Sequence, residues 1–294
     1  MATTSLEAQP RDTETPREDR PRITAWMVAR YLALIAVAAV VLIPLVVAVI
    51  GGFKTNADLQ NRPGGLPQTW IVSNYTDIIV TWSFWQKTLN SVVIMLLTTV
   101  IVLSLSSAAA FVFSRMRFRG RETLFNFFVL GLLFPLPVAI LPLYLLLRSL
   151  GLVDSLWGVI LPQVAFSLPF NILLLRTFFS AVPRDLEDAA YVDGATPLQF
   201  LLRILLPLVR PALAAVAVIA MVGSWNNFFL PLVVLNSERL YTLPLGVQQF
   251  QGEWSTDWAR ILAYITLALV PAVAFYLAAE RHLIAGLTAG SVKG

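Results

Sequence analysis

The sequence has no cysteine, one histidine and few charged residues, and each of these shortages excludes a class of protein. Without cysteine the chain forms no disulfide and no thiolate metal site, and His282 alone cannot make a histidine cluster. Charged residues account for 13% of the chain, against roughly 25% in ordinary soluble domains. Hydrophobic residues account for 57%, and the mean hydropathy is +0.75. The composition therefore predicts a polytopic membrane protein.

Six apolar runs are long enough to form helices across the ~30 Å hydrocarbon core of a membrane, which takes about 20 residues. These runs are 31–53, 91–114, 123–147, 156–175, 212–235 and 261–279. The sequence thus predicts an all-α fold with six transmembrane helices, forming one transmembrane domain over residues 23–294. Residues 1–22 are rich in Arg, Asp, Glu, Thr and Pro and nearly devoid of apolar side chains, which predicts a disordered cytoplasmic tail.

Arginine and lysine set the expected orientation of these helices. If the N-terminus is cytoplasmic, fifteen of the 21 Arg and Lys residues lie in cytoplasmic segments and six lie outside, in accord with the positive-inside rule. The sequence therefore predicts that both termini lie in the cytoplasm. The net charge of +4 then reflects topology and contact with anionic membrane lipid, and nucleic acid is not an expected partner.

The six apolar runs contain no Asp, Glu, Lys, Arg or His. Ion-coupled carriers usually keep ionisable groups within the membrane, and intramembrane enzymes need a base, a nucleophile or metal ligands there. None of the chain's three lysines follows a glycine, so the chain has no phosphate-binding loop of its own. Uphill transport by this chain would need energy from a separate ATPase.

A polar insert at 180–208 separates the fourth and fifth apolar runs and predicts a short helical hairpin. The first helix begins with acidic residues near its positive N-terminus, and Gly194 ends it in the left-handed conformation of a C-terminal cap. The second begins at Thr196 with a capping box closed by Gln199. Pro207 should break it before the fifth run. Two stiff helices joined by a tight turn suit the transmission of force.

The same amphipathic pattern leaves a second interpretation open. The hairpin could lie on the bilayer surface as an ordinary interfacial segment. The side chains that would then rest on the membrane are Leu186, Ala190, Leu201, Leu202 and Leu205.

The spacing within the insert resembles the EAA loop of ABC-importer permease subunits, by which such subunits dock on their ATPases. The pattern is an acidic residue, two alanines, three residues, glycine, nine residues and Ile-x-Leu-Pro. The coupling residues that the resemblance implies are Glu187, Asp188, Ala189, Ala190, Asp193, Gly194, Ile204, Leu206 and Pro207. Asp188 stands where the family usually has glutamate, and Glu187 stands one residue earlier, so the charge is kept on a shorter side chain.

Shorter matches in order along the chain resemble the carbohydrate branch of this family, and within it the shorter, maltose-transporter-like permease subunit. They are Asn74-Tyr75, Asn90-Ser91, Leu161-Pro162, Leu168-Pro169-Phe170, Trp225-Asn226, 242–246 and the ending 286–294. The resemblance implies a permease of an ATP-driven sugar importer in the cytoplasmic membrane of a bacterium. It implies as partners a homologous second permease, an ATPase dimer that binds ATP and Mg, and an extracellular solute-binding protein. The chain itself is then expected to have no catalytic residue, metal or cofactor.

Polar side chains within the runs are candidates for the substrate path, since sugars are bound by hydrogen bonds and aromatic stacking. They are Gln163, Asn171, Trp225, Asn226 and Asn227. Buried amides equally often bridge helices or satisfy backbone groups freed by proline, and that alternative stays open for each of them.

Three other functions are compatible with parts of the sequence. The same architecture could import a peptide, an amino acid or an oxyanion in place of a sugar. An ion-coupled carrier acting alone would be sensitive to an ionophore and indifferent to loss of an ATPase. A membrane scaffold would have no transport activity.

Overall fold

The computed structural model describes residues 25–252 and 255–288, and helices dominate this part of the chain. The α-helices are α1 Ala25–Gly51, α2 Asn56–Asn61, α3 Ser73–Val80, α4 Trp82–Arg115, α5 Arg121–Leu130, α6 Leu136–Ser149, α7 Leu156–Ala181, α8 Arg184–Val192, α9 Pro197–Phe200, α10 Leu206–Leu208, α11 Arg210–Trp225, α12 Phe229–Val234 and α13 Trp258–Thr288. The other helical elements are the 3₁₀ helices Gly131–Leu133, Glu238–Leu240 and Leu245–Phe250 and the π-helical turn Leu201–Leu205. The described residues contain no β-strand, so the predicted all-α class is confirmed. The predicted tail 1–22 and residues 289–294 of the predicted ending lie outside the described residues.

Within the part of the chain that the structure describes, three helices are long and apolar enough to cross a membrane singly, namely α1, α4 and α7. Two further candidates are bent pairs, Arg121–Leu133 with Leu136–Ser149 at 102° and Pro197–Leu208 with Arg210–Trp225 at 83°. Helix α13, which contains the sixth apolar run, has the apolar stretch Trp258–Ala274 in its first part. Several apolar helices agree with a multi-pass membrane fold, whereas the count of six spans stays a prediction.

The third apolar run, 123–147, differs from the prediction because it is not one helix. A 3₁₀ turn and Pro135, with an extended backbone (φ −73°, ψ 132°), separate α5 from α6. Pro135 and Pro137 both lack the N–H that a continuous helix would use. Hydropathy averaged over the run is insensitive to this break, since every residue at the break is apolar.

The fifth run, 212–235, is interrupted as well. Helix α11 ends at Trp225, and α12 begins at Phe229, after a three-residue link that contains Asn226 and Asn227. The Asn227 side chain accepts a hydrogen bond from the Leu230 N–H at 3.2 Å, which satisfies one of the free donors at the start of α12. Two adjacent asparagines in an apolar run therefore mark a helix end.

The chain divides into two compact units, residues 1–46 and 47–294. The described part of the first unit, residues 25–46, is the larger part of α1. In the second unit, α4 packs along α7 and α11, and α11 packs against α13. The buried face of α4 carries small or hydroxyl-bearing side chains, namely Ser91, Thr98, Thr99, Ser106, Ser107 and Ala110. Small side chains let helix backbones approach closely, so α4 can serve as the centre of this unit.

Candidate functional site

The polar insert forms the predicted hairpin, with α8 and α9 as its two arms. Gly194 lies between them with φ +83°. Its N–H donates to the Tyr191 carbonyl at 3.0 Å, and the Ala195 N–H donates to the Ala190 carbonyl at 2.9 Å. These bonds close the end of α8, and the predicted left-handed cap at Gly194 is confirmed.

The second arm begins with the predicted capping box. The Gln199 N–H donates to Thr196 Oγ1 at 3.3 Å, and the Thr196 N–H donates to Gln199 Oε1 at 2.8 Å. The arm then continues past Pro207, and the chain bends 83° around Val209, where φ is −99° and ψ is 21°. The helix was predicted to break at Pro207, and the bend instead lies two residues later, at Val209. A π-helical turn directly before α10 accommodates the proline's missing N–H without ending the helix.

A buried arginine at the end of α4 anchors the hairpin. Arg115 Nη1 lies 3.3 Å from Glu187 Oε2, and the two side chains are only 2% and 10% exposed. Arg115 Nη2 donates to the carbonyls of Phe179 and Val182, the latter at 2.8 Å. Those carbonyls belong to the C-terminal end of α7, where a cation is favourable. One guanidinium therefore joins α4, α7 and the first arm of the hairpin.

Tyr191 completes this junction on the hairpin side. Its hydroxyl donates to Glu187 Oε1 at 3.0 Å, and its ring packs against the Phe200 ring with centroids 6.0 Å apart. Desolvation, with a further contribution from the bond to Glu187, raises the pKa of the Tyr191 hydroxyl. Both carboxylate oxygens of Glu187 are thus bonded, one to Arg115 and one to Tyr191.

The underside of the hairpin packs on protein. Phe200, Leu201 and Leu205 are buried together with Ala190 in a cluster that includes Phe111 of α4 and residues of α7 and α11. The interfacial interpretation is therefore wrong for Ala190, Leu201 and Leu205, since a neighbouring helix layer covers them. The other two members of that set, Leu186 and Leu202, are 45% and 54% exposed.

The nine predicted coupling residues divide between two faces of the hairpin. Those directed toward the helix layer, buried or partly buried, are Glu187, Ala190, Ile204, Leu206 and Pro207. Those exposed are Asp188, Ala189, Asp193 and Gly194. The exposed face also carries Val192 and Leu198, 88% and 63% exposed, which the motif did not include. Sequence reasoning treated Arg115 only as a topology marker, and it missed Tyr191 and Phe200.

The predicted substrate-path residues fall into two cavities and one buried site. Gln163 and Asn227 line a cavity of about 150 Å³ between α4, α7 and α11. Gln163 Oε1 accepts from Ser224 Oγ at 2.6 Å, with Thr98 Oγ1 at 3.5 Å. Gln163 Nε2 is buried and has no hydrogen-bond partner among the described residues. Besides Gln163, four hydroxyl or amide side chains line the cavity, namely Thr98, Ser167, Ser224 and Asn227.

Trp225 and Asn226 instead line a mainly apolar cavity of about 290 Å³ against α13 and the 3₁₀ helix Leu245–Phe250. Asn171 lines neither cavity: it is buried in α7, and its Nδ2 donates to the Ser167 carbonyl at 2.8 Å. The structure thus brings Gln163 together with Asn227, and Trp225 with Asn226. Among residues 25–252 and 255–288, no group of three or more acidic or histidine side chains could hold a metal ion.

The fold is shared with a chain of a solved bacterial ABC transporter involved in the import of the acidic polysaccharide alginate. The TM-score is 0.75 at 22% identity, covering 89% of this chain and 99% of that one. The fold is therefore one that occurs in a bacterial ABC transporter.

Sequence comparison gives the family. The chain belongs to the binding-protein-dependent transport system inner membrane component family, whose profile matches residues 100–283. The arabinooligosaccharides transport system permease protein AraQ of Bacillus subtilis (strain 168) is 32% identical over 278 residues, 93% of this chain and 98% of the relative. The trehalose transport system permease protein SugB of Mycobacterium tuberculosis (strain CDC 1551 / Oshkosh) is 35% identical over 231 residues, 78% and 84% of the two chains.

Family membership makes this chain a multi-pass transport subunit of the cytoplasmic membrane. The predicted permease class is confirmed. The matched region begins within α4 and ends within α13, so it includes the hairpin and every residue that lines the two cavities except Thr98. Membership argues against a carrier acting alone and against a scaffold without transport activity.

Proposed function

We propose that the chain is one permease subunit of an ATP-driven sugar importer, with both termini in the cytoplasm. Two relatives are named for arabinooligosaccharide and trehalose transport, and the solved structural neighbour is named for alginate import. The cargo class is therefore a carbohydrate, in preference to a peptide, an amino acid or an oxyanion. A homologous second permease forms the other half of the path, and a solute-binding protein delivers the sugar from outside.

The observation that carries this proposal is the way in which the hairpin is held. Its underside is fixed to α4 and α7 by the Arg115–Glu187 pair and by a buried apolar cluster. Its outer face keeps Val192 and Leu198 exposed, beside the small Ala189, which lets another surface approach closely. A rigid element with an exposed apolar and acidic tip suits docking in a cleft of an ATPase.

In this mechanism the ATPase dimer binds ATP and Mg, and this chain receives its motion. Closure of the dimer moves the hairpin, and the Arg115 junction carries that movement to the ends of α4 and α7. The permease pair then switches between inward- and outward-facing states as rigid bodies. ATP and the loaded binding protein drive the switch because each binds one of the two states more tightly.

The cavity around Gln163 is our candidate for sugar contact by this subunit. A sugar hydroxyl can exchange hydrogen bonds with Asn227 and Ser224, and a rotation of the Gln163 side chain would add its buried, unpaired Nε2 as a donor. At about 150 Å³, the cavity is smaller than the roughly 300–1,000 Å³ of typical ligand sites. One sugar unit at most fits there, so the second permease would supply the remaining contacts.

Co-purification from native membranes with Val192→Asp tests the docking. We expect the unaltered chain to retain an ATPase and a second permease in mild detergent. Val192→Asp should lose the ATPase and keep the second permease, because a buried unpaired carboxylate is costly at an apolar interface. The matched control is Leu66→Asp, at a position 69% exposed in the outer loop before α3. Equal ATPase recovery with both variants would contradict docking through the hairpin.

Transport by reconstituted vesicles tests the importer itself. Uptake of radiolabelled sugar should require ATP on the hairpin side and the binding protein on the other, and an ionophore should leave it unchanged. A bound-ligand screen of the co-purified binding protein then separates sugar from the other cargo classes. Uptake that an ionophore abolishes and that needs no ATPase would overturn the proposal.

A further inference from the structure

A basic cavity lies where α4 ends and α5 begins, next to the hairpin but separate from its docking face. It has a volume of about 490 Å³, and its lining includes Arg117, Arg121 and Arg184 from three different elements. The loop 116–120 between the two helices forms one wall, and Phe118 and Gly120 of this loop contribute to the lining. None of them is one of the nine predicted coupling residues or lines the candidate sugar cavity, although Arg184 is the first residue of the hairpin helix α8.

The charges around this cavity do not cancel. Glu122 is its one acidic lining residue, and Glu122 Oε1 already accepts from Arg121 at 2.9 Å and from Arg176 at 2.6 Å. Two arginines thus share one carboxylate. Among ion pairs between described residues, none includes Arg117 or Arg184. The three arginines and one glutamate that line the cavity therefore carry a net charge of about +2, and Arg176 adds a further positive charge beside it.

The arginine next to the cavity is held firmly. The Arg176 guanidinium carbon lies 3.8 Å from the centroid of the Phe125 ring, a stacked arrangement that suits arginine in particular. Arg121 Nη1 also donates to the Met116 carbonyl at 3.2 Å. Together with Glu122, these contacts fix the wall of the cavity on the side of Arg121, whereas Arg117 and Arg184 are exposed.

The surroundings indicate which kind of anion fits. The cavity lies at the polar boundary of two apolar segments, past the end of α4 and at the start of α5. Directly beyond it on α5, Leu124 and Phe127 are 45% and 71% exposed, and Phe118 at its edge is 40% exposed. A charged recess that continues into an exposed apolar surface matches a phospholipid, whose phosphate and acyl chains are joined. A free anion would make no use of the apolar part.

We propose that this cavity binds the headgroup phosphate of an anionic phospholipid, with Arg117 and Arg184 as the principal ligands. Arginine binds phosphate oxygens in a two-pronged manner, and basic recesses at the cytoplasmic ends of membrane helices are suited to anionic headgroups. The positive charge would repel the choline group of a zwitterionic lipid. A lipid held there would brace the loop that follows Arg115 and so the base of the hairpin.

Native mass spectrometry of the purified full-length chain, with the partners it retains, tests the proposal. The chain is equilibrated in detergent with equal amounts of phosphatidylglycerol and phosphatidylcholine, and the retained lipid of each kind is measured. For Arg117→Gln/Arg184→Gln we expect the preference for phosphatidylglycerol to fall on the order of tenfold, since each arginine near an anionic surface contributes severalfold. The matched control is Arg119→Gln/Arg210→Gln, which removes two exposed arginines that do not line the cavity and should keep the preference.

Further measurements separate lipid binding from misfolding, from a site for small anions and from a protein contact. Arg117→Lys/Arg184→Lys should keep part of the preference, because charge remains without the two-pronged geometry. Thermal unfolding that is equal for all variants excludes misfolding as the cause. Displacement of phosphatidylglycerol by millimolar inorganic phosphate would overturn the proposal in favour of a site for small anions. Unchanged lipid preference in Arg117→Gln/Arg184→Gln, with loss of a co-purifying ATPase, would overturn it in favour of a protein contact.

Discussion

At the scale of single residues, Arg115 has the most consequential position in the described structure. It is the last residue of α4, yet its guanidinium bonds to the end of α7 and to Glu187 of the hairpin. A buried pair of this kind contributes little net stability relative to apolar packing, but removal of one partner leaves an uncompensated charge. The Arg115–Glu187 pair matters because it fixes the relative positions of α4, α7 and the hairpin helix α8.

Replacement of Arg115 tests whether Glu187 depends on its ion pair with Arg115. Arg115→Met should lower the free energy of unfolding by about 3–5 kcal/mol, because Glu187 is left buried without its cation. Arg115→Met/Glu187→Met should recover most of that loss. Unfolding in mixed detergent micelles measures both. Arg121→Met is the control: it breaks an exposed pair worth about 0–1 kcal/mol. A double variant no more stable than Arg115→Met would contradict the pairing.

Asp154, in the loop between α6 and α7, supports a prediction about pH. Its carboxylate accepts from the Ser237 hydroxyl and from the N–H groups of Ser237 and Asn236, the latter two at 2.8 and 2.9 Å. These bonds, led by the Ser237 hydroxyl, lower the pKa of Asp154. Since the folded pKa is below the unfolded value near 3.9, the stabilisation is present above about pH 4 and is lost as the pH falls through the lower folded pKa.

Asp154→Asn should therefore unfold at a lower temperature than the unaltered chain at pH 6, and the difference should shrink toward pH 3. Asparagine also tolerates the left-handed backbone at this position, where φ is +57°, so the change removes charge without adding strain. Thermal unfolding over that pH range measures the effect. Asp77→Asn, at an exposed residue paired with Arg260 at 3.5 Å, should show no such convergence. A constant difference for Asp154→Asn at every pH would refute the linkage.

At the scale of elements, the close approach of α7 to its neighbours depends on a glycine. A Cβ atom at Gly158 would lie 2.1 Å from the Leu152 carbonyl oxygen and 2.9 Å from a methyl group of Val234. The first contact is with backbone, which cannot move aside as a flexible side chain can. Gly158 therefore sets the distance between the start of α7, the loop before it and α12.

Gly158→Ala should consequently destabilise the protein by about 1–3 kcal/mol, the usual cost of overpacking. Gly223→Ala is the matched control, because a Cβ there meets nothing within 4 Å. In a helix this substitution is expected to be neutral or to stabilise by about 0.5–1 kcal/mol. Unfolding midpoints of the two variants in the same detergent give the comparison. Equal midpoints would mean that α7 can shift away from Leu152 at no cost.

Some elements of this fold can be predicted from the sequence and others cannot. The ends of the hairpin follow from local chemistry, so Gly194, Thr196 and Gln199 were sufficient to predict its turn and its capping box. The break between α5 and α6 was missed, because a hydropathy average over an apolar run does not register two prolines. The Arg115–Glu187 contact joins positions 72 residues apart, and no local pattern specifies which arginine meets which carboxylate. Which cavity Gln163 or Trp225 lines depends on how each helix is rotated about its axis. The local sequence does not specify that rotation either.

At the scale of the whole molecule, composition alone predicted the membrane class, and motif spacing predicted the family. Within the unit formed by residues 47–294, the hairpin and the ends of the long helices are expected to move together. The hairpin is joined to α4 and α7 by polar bonds and by apolar packing at once, and the bend at Val209 leads straight into α11. Such an arrangement behaves as one body, since packed interfaces resist continuous deformation.

Rigidity of this body is measurable by spin labelling, and the absence of cysteine from the sequence makes the chain suited to it. Labels at Arg119→Cys and Leu198→Cys report the distance between the loop after α4 and the tip of the hairpin. In the assembled transporter this distance should be the same with and without ATP, because hairpin and helix ends move together. Labels at Leu198→Cys and on the partner ATPase should change their separation in the same experiment. If instead the distance within the chain changed with ATP while transport persisted, the hairpin would be a hinged lever, and the Arg115 junction would be a pivot that opens during each cycle.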